Sequence, residues 1–458
     1  MVFIVIYATI SIISHNHFQT FAWDMGYFDQ VIWKVNQGIF PLSTLSHVNL
    51  LAGHFTPILF LYALLYFIWS DPRMLLLAQA IIVVSAAMPL YILSFKKSGS
   101  RIFSFAIVIA YILFIGTQWS ILNEFHEATI APLFLILIFY ALEMKHKKLF
   151  WMSLIGLLAT KEEMVLLTAA IGATMYFHFN QKRSGAVIFI FSTVFFFFLT
   201  GILMPAISET GAYYHPHLSS VAKTPGEFTV KILTNPIFAI KSLVTPPEKV
   251  SLLLQSLFSF GFLPLFAPLA IILPLIEQFL LRLLYSGPQF TMWQNTNHHA
   301  APAAMLLAIS SVYAAVLLKK KVKLFKKRYW LVVSIWLLSV TLILDIIQKS
   351  PIHSILKKQL YETSDWMRDN YSVLEKVPSE VPVAAQNSLL PHLSQRNKIY
   401  LLPEIYDAQY VVVDLKDGPN KFSPLTKTEL EKLIDELVKK NLFTIEYTSG
   451  SAVLLRKV

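Results

Sequence analysis

Long apolar runs broken by short polar ones fill the chain from its first residue to about residue 349. A helix needs roughly 20 apolar residues to cross about 30 Å of hydrocarbon. On that measure spans are predicted at about 1–14, 73–95, 102–121, 128–143, 149–160, 164–179, 186–207, 299–318 and 329–347. The stretch from Val250 to Leu284 is long enough for two short crossings, and Pro264, Pro268 and Pro274 would break it, so it reads as a hairpin. The fold class that follows is mainly α, a polytopic membrane bundle of about eleven transmembrane helices over residues 1–349. A first outer loop is expected at 15–72. Within it, the apolar run His54 to Trp69 is laid along the outer interface as an amphipathic segment, because a crossing there would invert every loop that follows.

From Ser350 onward the pattern changes. Val381 to Gln386, Lys398 to Leu402 and Gln409 to Asp414 are short apolar runs between polar turns, and Thr426 to Asn441 has the spacing of an amphipathic helix. Thr426 and Glu429 stand at capping-box spacing. Phe443 to Tyr447 and Ala452 to Arg456, joined by Ser449-Gly450, predict a closing hairpin. Residues 350–458 are therefore expected to form a small soluble α/β domain, acting as a lid or scaffold for the outer loops or binding substrate directly.

Composition agrees with the pattern. Only 14% of residues are charged, against about 25% in a soluble domain, which excludes a soluble globular protein. The net charge of +11 belongs wholly to the apolar part, with 24 Lys/Arg against 13 Asp/Glu up to Lys349 and 14 against 14 beyond it. The basic clusters are Lys96, Lys97 and Arg101; Lys145, Lys147 and Lys148; Lys182 and Arg183; and Lys319 to Arg328. These are assigned to the cytoplasmic side, and no nucleic-acid partner is expected. The same topology brings Asp24, Asp29, Asp71, Glu124, Glu127, Glu162, Glu163, Glu209, Glu227 and Glu248 to the outer face, with Glu143 inside. By parity the tail is extracytoplasmic. The first span has no Lys or Arg before it and is a poor signal peptide. With no cysteine, disulfides, thiolate nucleophiles and cysteine metal sites are excluded.

Polar side chains are expensive near hydrocarbon, which makes four outer segments candidates for function. They are Trp23 to Gln30, Asn123 to Glu127, Lys161-Glu162-Glu163, and Asn295 to His299. Asp24, just past the first span, is the candidate general base for a hydroxyl; the alternative is that Asp24 or Asp29 caps a helix of the loop. Glu124, His126 and Glu127 offer ligands in one short turn and, with Asp24, are the candidate holders of Mg or Mn; headgroup-level residues facing water explain the spacing equally well. Asp29 and His54 are candidates for substrate binding. Lys161 with Glu162 and Glu163 reads as a buried ion pair or a phosphate site. His298 and His299, at the outer start of a span, are candidates to donate to a phosphate. His215 and His217 are expected to be loop residues rather than ligands.

The order of these features resembles the GT-C membrane glycosyltransferases, polytopic enzymes that use polyprenyl-phosphate sugars as donors, such as protein mannosyltransferases and lipid A aminoarabinose transferases. The resemblance rests on the early outer-loop Asp24, His54-Phe55-Thr56-Pro57 opening the interfacial segment, and Asp71-Pro72-Arg73 entering a span. A closer resemblance covers nearly the whole chain and is to a bacterial and archaeal membrane family defined as a domain of unknown function. It is carried by Trp23 to Gln30, His54 to Pro57, Glu124-Phe125-His126-Glu127, Lys161-Glu162-Glu163, His298-His299 and Leu390-Pro391-His392-Leu393-Ser394-Gln395-Arg396. The GT-C likeness implies a general base at Asp24 and metal-binding acids at Glu124 and Glu127. The chain departs from that pattern where Met25 follows Asp24 and where His54-Phe55-Thr56-Pro57 replaces a His-Pro-Pro.

The function these readings imply is transfer of a sugar from a polyprenyl-phosphate donor to a hydroxyl on a lipid, glycan or protein at the outer face of the cell membrane. Alternatives are a transporter or flippase for lipid-linked glycans and a non-catalytic envelope assembly protein. A transporter would carry its polar residues near mid-span, whereas here they gather at the outer ends.

Overall fold

The computed structural model describes residues 1–213, 221–285, 290–321, 327–416 and 423–458; His215, His217 and part of the Lys319 to Arg328 cluster lie outside them. Helices occupy the predicted apolar runs, from Val2–Asn16 through Pro72–Ser98 and Glu127–Met144 to Thr291–Lys321 and Tyr329–Ile347. Among the described residues, five are long and apolar enough to cross a membrane, or six when the Arg101–Leu113 and Ile115–Leu122 pair, bent by 49°, counts as one. The remaining runs are helical but shorter. The helix Lys147–Leu158 has 12 residues, which reach only about 18 Å. Against the expected eleven or so transmembrane helices, five or six among the described residues are long and apolar enough to cross on their own. In the Val250 to Leu284 stretch, Pro264 and Pro268 separate two helices as expected, but Pro274 sits inside Leu269–Leu284 without ending it.

Ala301–Lys321 is the central helix. Ala301 to Ala315 is buried along its whole length, because alanine and serine let neighbours approach from every side. The same device joins Glu163–Phe177 to Lys182–Phe198: a Cβ on Gly185 would lie 2.6 Å from the Gly172 carbonyl oxygen and from the Tyr176 amide nitrogen. At one end of the bundle Glu143 accepts from Lys97 and from the Tyr313 hydroxyl, both at 2.6 Å.

The loop between the first two apolar helices folds against that bundle. A π-helical turn, Ala22–Gly26, runs into the helix Tyr27–Asn36. Leu59–Tyr62 and Ala63–Phe67 are helical, with Leu59, Tyr62 and Tyr66 turned inward and Leu61, Leu64 and Phe67 outward, the two-faced arrangement expected of an interfacial segment.

The tail carries a five-stranded sheet in the order β2-β1-β3-β5-β4, where β1 is Val383–Ala385, β2 Ile399–Leu401, β3 Tyr410–Asp414, β4 Phe443–Ser449 and β5 Ala452–Lys457. β1 is parallel to β2 and β3, while β5 pairs antiparallel with β3 and β4. The helix Lys427–Lys439 starts with the predicted capping box of Thr426 and Glu429. The helix Asp365–Leu374 carries no expectation from the sequence; it packs its Met367, Val373 and Leu374 under the sheet. The segment after β1 is pressed onto the first outer loop.

Candidate functional site

Asp24 sits in the π-helical turn with its side chain 40% exposed. The turn begins after Phe21, whose side chain cannot cap it, so its first amides need acceptors from elsewhere. Glu124 supplies one: its Oε2 accepts from Phe21 N at 2.8 Å and Met25 N at 3.0 Å. The tail supplies another, Asn387 Oδ1, 3.0 Å from Ala22 N. Burial, then the charge of Asp24, holds the Glu124 carboxyl well above the usual range against the pull of those two amides. This favours a neutral Glu124 beside Asp24.

Glu124 has a left-handed backbone, φ 60°, which costs a non-glycine residue about 1–2 kcal/mol. Gln79 fixes it. Its Nε2 donates to the Ile121 and Glu124 carbonyls at 2.9 and 2.6 Å, and its Oε1 accepts from His126 N and Thr129 Oγ1 at 2.9 Å each. Gln79 was not singled out in the sequence, although a buried amide within a span was the sign that could have found it.

That turn presents His126 to Asp24. His126 Nε2 lies 3.3 Å from Asp24 Oδ2, within ion-pair range though not aligned as a hydrogen bond. On its other side the His126 ring stacks on His298 with centroids 3.3 Å apart, and His298 is in turn 4.0 Å from His299. Lys161, buried, lies 3.3 Å from Glu127 Oε1. Burial works against its ammonium, but Glu163, Glu127 and Glu162 outweigh that and raise its pKa. His126 Nε2, Glu127 Oε2 and His298 Nδ1 are buried without a hydrogen-bond partner among the described residues.

Glu162 is fully buried, accepting from Phe55 N at 3.0 Å and Tyr213 OH at 3.3 Å and lying 2.8 Å from His54 Nδ1. Burial opposes its ionisation, yet His54 and Lys161 overcome it and hold the carboxyl down to about 2. His54 and Glu162 together anchor the entry to the 54–69 segment, a buried pairing of the kind expected as one reading of the Lys161-Glu162-Glu163 run.

Asp29 meets a different set of partners. It is fully buried and accepts from Tyr66 OH, from Ser394 Oγ at 2.5 Å and from Gln395 Nε2 at 3.0 Å. Its oxygens hold Tyr66 of the 54–69 segment and Ser394 and Gln395 of the tail, and it does not cap the helix Tyr27–Asn36. Glu124, His126 and Glu127 are the residues expected from the sequence to hold Mg or Mn. Among the described residues no group of three or more His, Asp or Glu could hold a metal ion, because Glu124 is turned to backbone amides and Glu127 to Lys161. The residues do not fit Mg or Mn.

The tail motif is accounted for by this docking. Ser394 and Gln395 hold Asp29, His392 stacks on His15 at 4.3 Å, and the Arg396 carbonyl accepts from Gln30. Asn387 gave no sign in the sequence, since the turn it serves lies 365 residues away.

The fold is shared with solved structures. Crystal structures of ArnT from Cupriavidus metallidurans, one bound to undecaprenyl phosphate and one in the apo state, align with TM-scores of 0.55 and 0.51 at 9% and 8% identity. The alignments cover 100% and 99% of this chain and 97% of each ArnT chain. No curated protein matches the sequence. The family described as Predicted membrane protein (DUF2079) matches residues 14–451. The chain, a helical membrane protein with an ArnT-like fold and a small C-terminal sheet domain, therefore belongs to the DUF2079 family of predicted membrane proteins.

Proposed function

We propose that this chain is a membrane glycosyltransferase that moves a sugar from a polyprenyl-phosphate donor to a hydroxyl acceptor on the extracytoplasmic face. The observation that carries the reading is the convergence on Asp24. Residues from the first loop, the 123–127 turn and the start of the central helix meet there, leaving three buried polar atoms without a hydrogen bond among the described residues. Buried polar atoms are nearly always satisfied, so an arrangement of this kind calls for a polar ligand. The donor class is supported by the fold-mate that holds undecaprenyl phosphate.

In this reading Asp24, the most exposed acid of the group, takes the proton of the acceptor hydroxyl. The acceptor oxygen bonds to the anomeric carbon as the bond from that carbon to the phosphate oxygen breaks, which inverts configuration, and the electron pair leaves with the polyprenyl phosphate. His126 orients the Asp24 carboxylate. Lys161, with His298 and His299, offsets the charge growing on the phosphate. Residues 1–349 form the catalytic bundle, and the tail, 350–458, lies outside the membrane over the first outer loop. The pairing of Glu143 with Lys97, away from the other acids, supports that sidedness.

The test is purified protein in lipid nanodiscs with labelled polyprenyl-phosphate sugars and cell-envelope extract. Sugar transfer by the native protein that is lost in Asp24→Asn is expected. Absence of turnover with every donor, together with movement of the lipid between leaflets, would favour a flippase instead.

A further inference from the structure

We infer that the C-terminal domain is a working part of the catalytic unit, with Asn387 as a positioning residue that sets the turn carrying Asp24. The inference rests on the glycosyltransferase reading for its kinetic consequence but on contacts alone for its structural one.

A five-residue π-helical turn has little to hold it. Its hydrogen bonds close wider rings than those of an α-helix, such turns occur mostly as single bulges at functional sites, and its leading amides are orphaned. Three backbone N–H groups of this turn find acceptors outside it. Phe21 and Met25 donate to Glu124, and Ala22 donates to Asn387 at 3.0 Å. Asn387 is fully buried and stands just past the C-terminal end of β1, so its position follows that of the sheet. At the other end of the turn the tail presses again. A Cβ on Gly26 would come within 2.5 Å of Leu390 Cδ2, so the Leu390 side chain of the tail lies directly against the glycine. One segment of the tail therefore touches both ends of the turn, with Asp24 between them.

The consequence is that a shift of the tail moves Asp24. A displacement of about 1 Å at a catalytic group costs on the order of 100-fold in rate. Asp29 reinforces the same coupling two turns along, because the Ser394 and Gln395 it binds belong to the segment that carries Asn387 and Leu390.

The experiment compares full-length native protein, Asn387→Leu and Asn387→Asp in nanodiscs, by hydrogen–deuterium exchange of the peptide covering residues 19–27 and by steady-state kinetics. Losing the acceptor in Asn387→Leu is expected to speed exchange there about 5- to 30-fold, while the thermal midpoint shows a folded protein. Asn387→Asp, which keeps an acceptor oxygen at the same reach, is expected to restore slow exchange. In kinetics, kcat falls roughly 10- to 100-fold in the Leu variant with KM for the donor little changed. Unchanged exchange in Asn387→Leu would overturn the inference, as would faster exchange with undiminished kcat. Lack of turnover by the native protein would overturn the glycosyltransferase reading instead, while the exchange result would still decide whether Asn387 holds the turn.

Discussion

Three carboxyls around the first outer loop, Asp24, Asp29 and Glu124, differ in what their oxygens meet, and that sets their roles. Asp24 faces His126 and solvent, Glu124 faces two backbone amides, and Asp29 faces three side-chain donors. Glu124 needs only an acceptor oxygen. Glu124→Gln is therefore expected to keep stability and most activity, whereas Glu124→Leu, which strands two buried amides, is expected to cost about 1–3 kcal/mol for each and to abolish activity; thermal unfolding and transfer assays on both variants check this. For Asp29, burial outweighs the bonds from Ser394, Tyr66 and Gln395 and pushes its pKa up to about 6. An unfolded-state aspartate titrates near 3.9, so the folded state binds the extra proton. Stability contributed by this group is then greatest below about pH 4, falls by up to about 3 kcal/mol as pH rises to about 6, and is level above that. The thermal midpoint followed from pH 4 to pH 7 should show that decline in the native protein and lose it in Asp29→Asn.

At the scale of elements, the helices and strands were legible wherever local pattern decides. All five strands fall within one or two residues of their predicted runs, and Thr426 and Glu429 make the capping box their spacing implied. Helix lengths were less legible, because apolar runs such as 149–160 sit in the bundle as short pieces whose depth depends on their neighbours. Close packing of Glu163–Phe177 on Lys182–Phe198 was not legible either, since nothing local marks Gly172 and Gly185 as partners. Both are needed for the backbones to touch. Gly185→Val should force these helices apart, and its expected outcome is loss of the monodisperse peak on size exclusion and a thermal midpoint lowered by more than that of Gly201→Ala, where a Cβ meets open space.

For the whole molecule, the outer group of acids and histidines was visible in the sequence as a set, but the division of labour within it was not. Whether a carboxylate meets a substrate or a ring of donors depends on chain hundreds of residues away, as with Asp29 and Ser394 or Ala22 and Asn387. Distance in sequence also hid the tail's part in the site. The geometry that results is one polar centre at Asp24, braced from the bundle by Glu124 and Gln79 and from the tail by Asn387. Release of polyprenyl phosphate from a labelled polyprenyl-phosphate sugar, followed with native protein and with Asp24→Asn in nanodiscs, tests the claim made for that centre most directly. Acceptor-dependent release is expected from the native protein, reduced on the order of 100- to 10,000-fold in the variant, as for loss of a general base; equal release by both proteins would rule out Asp24 as the base.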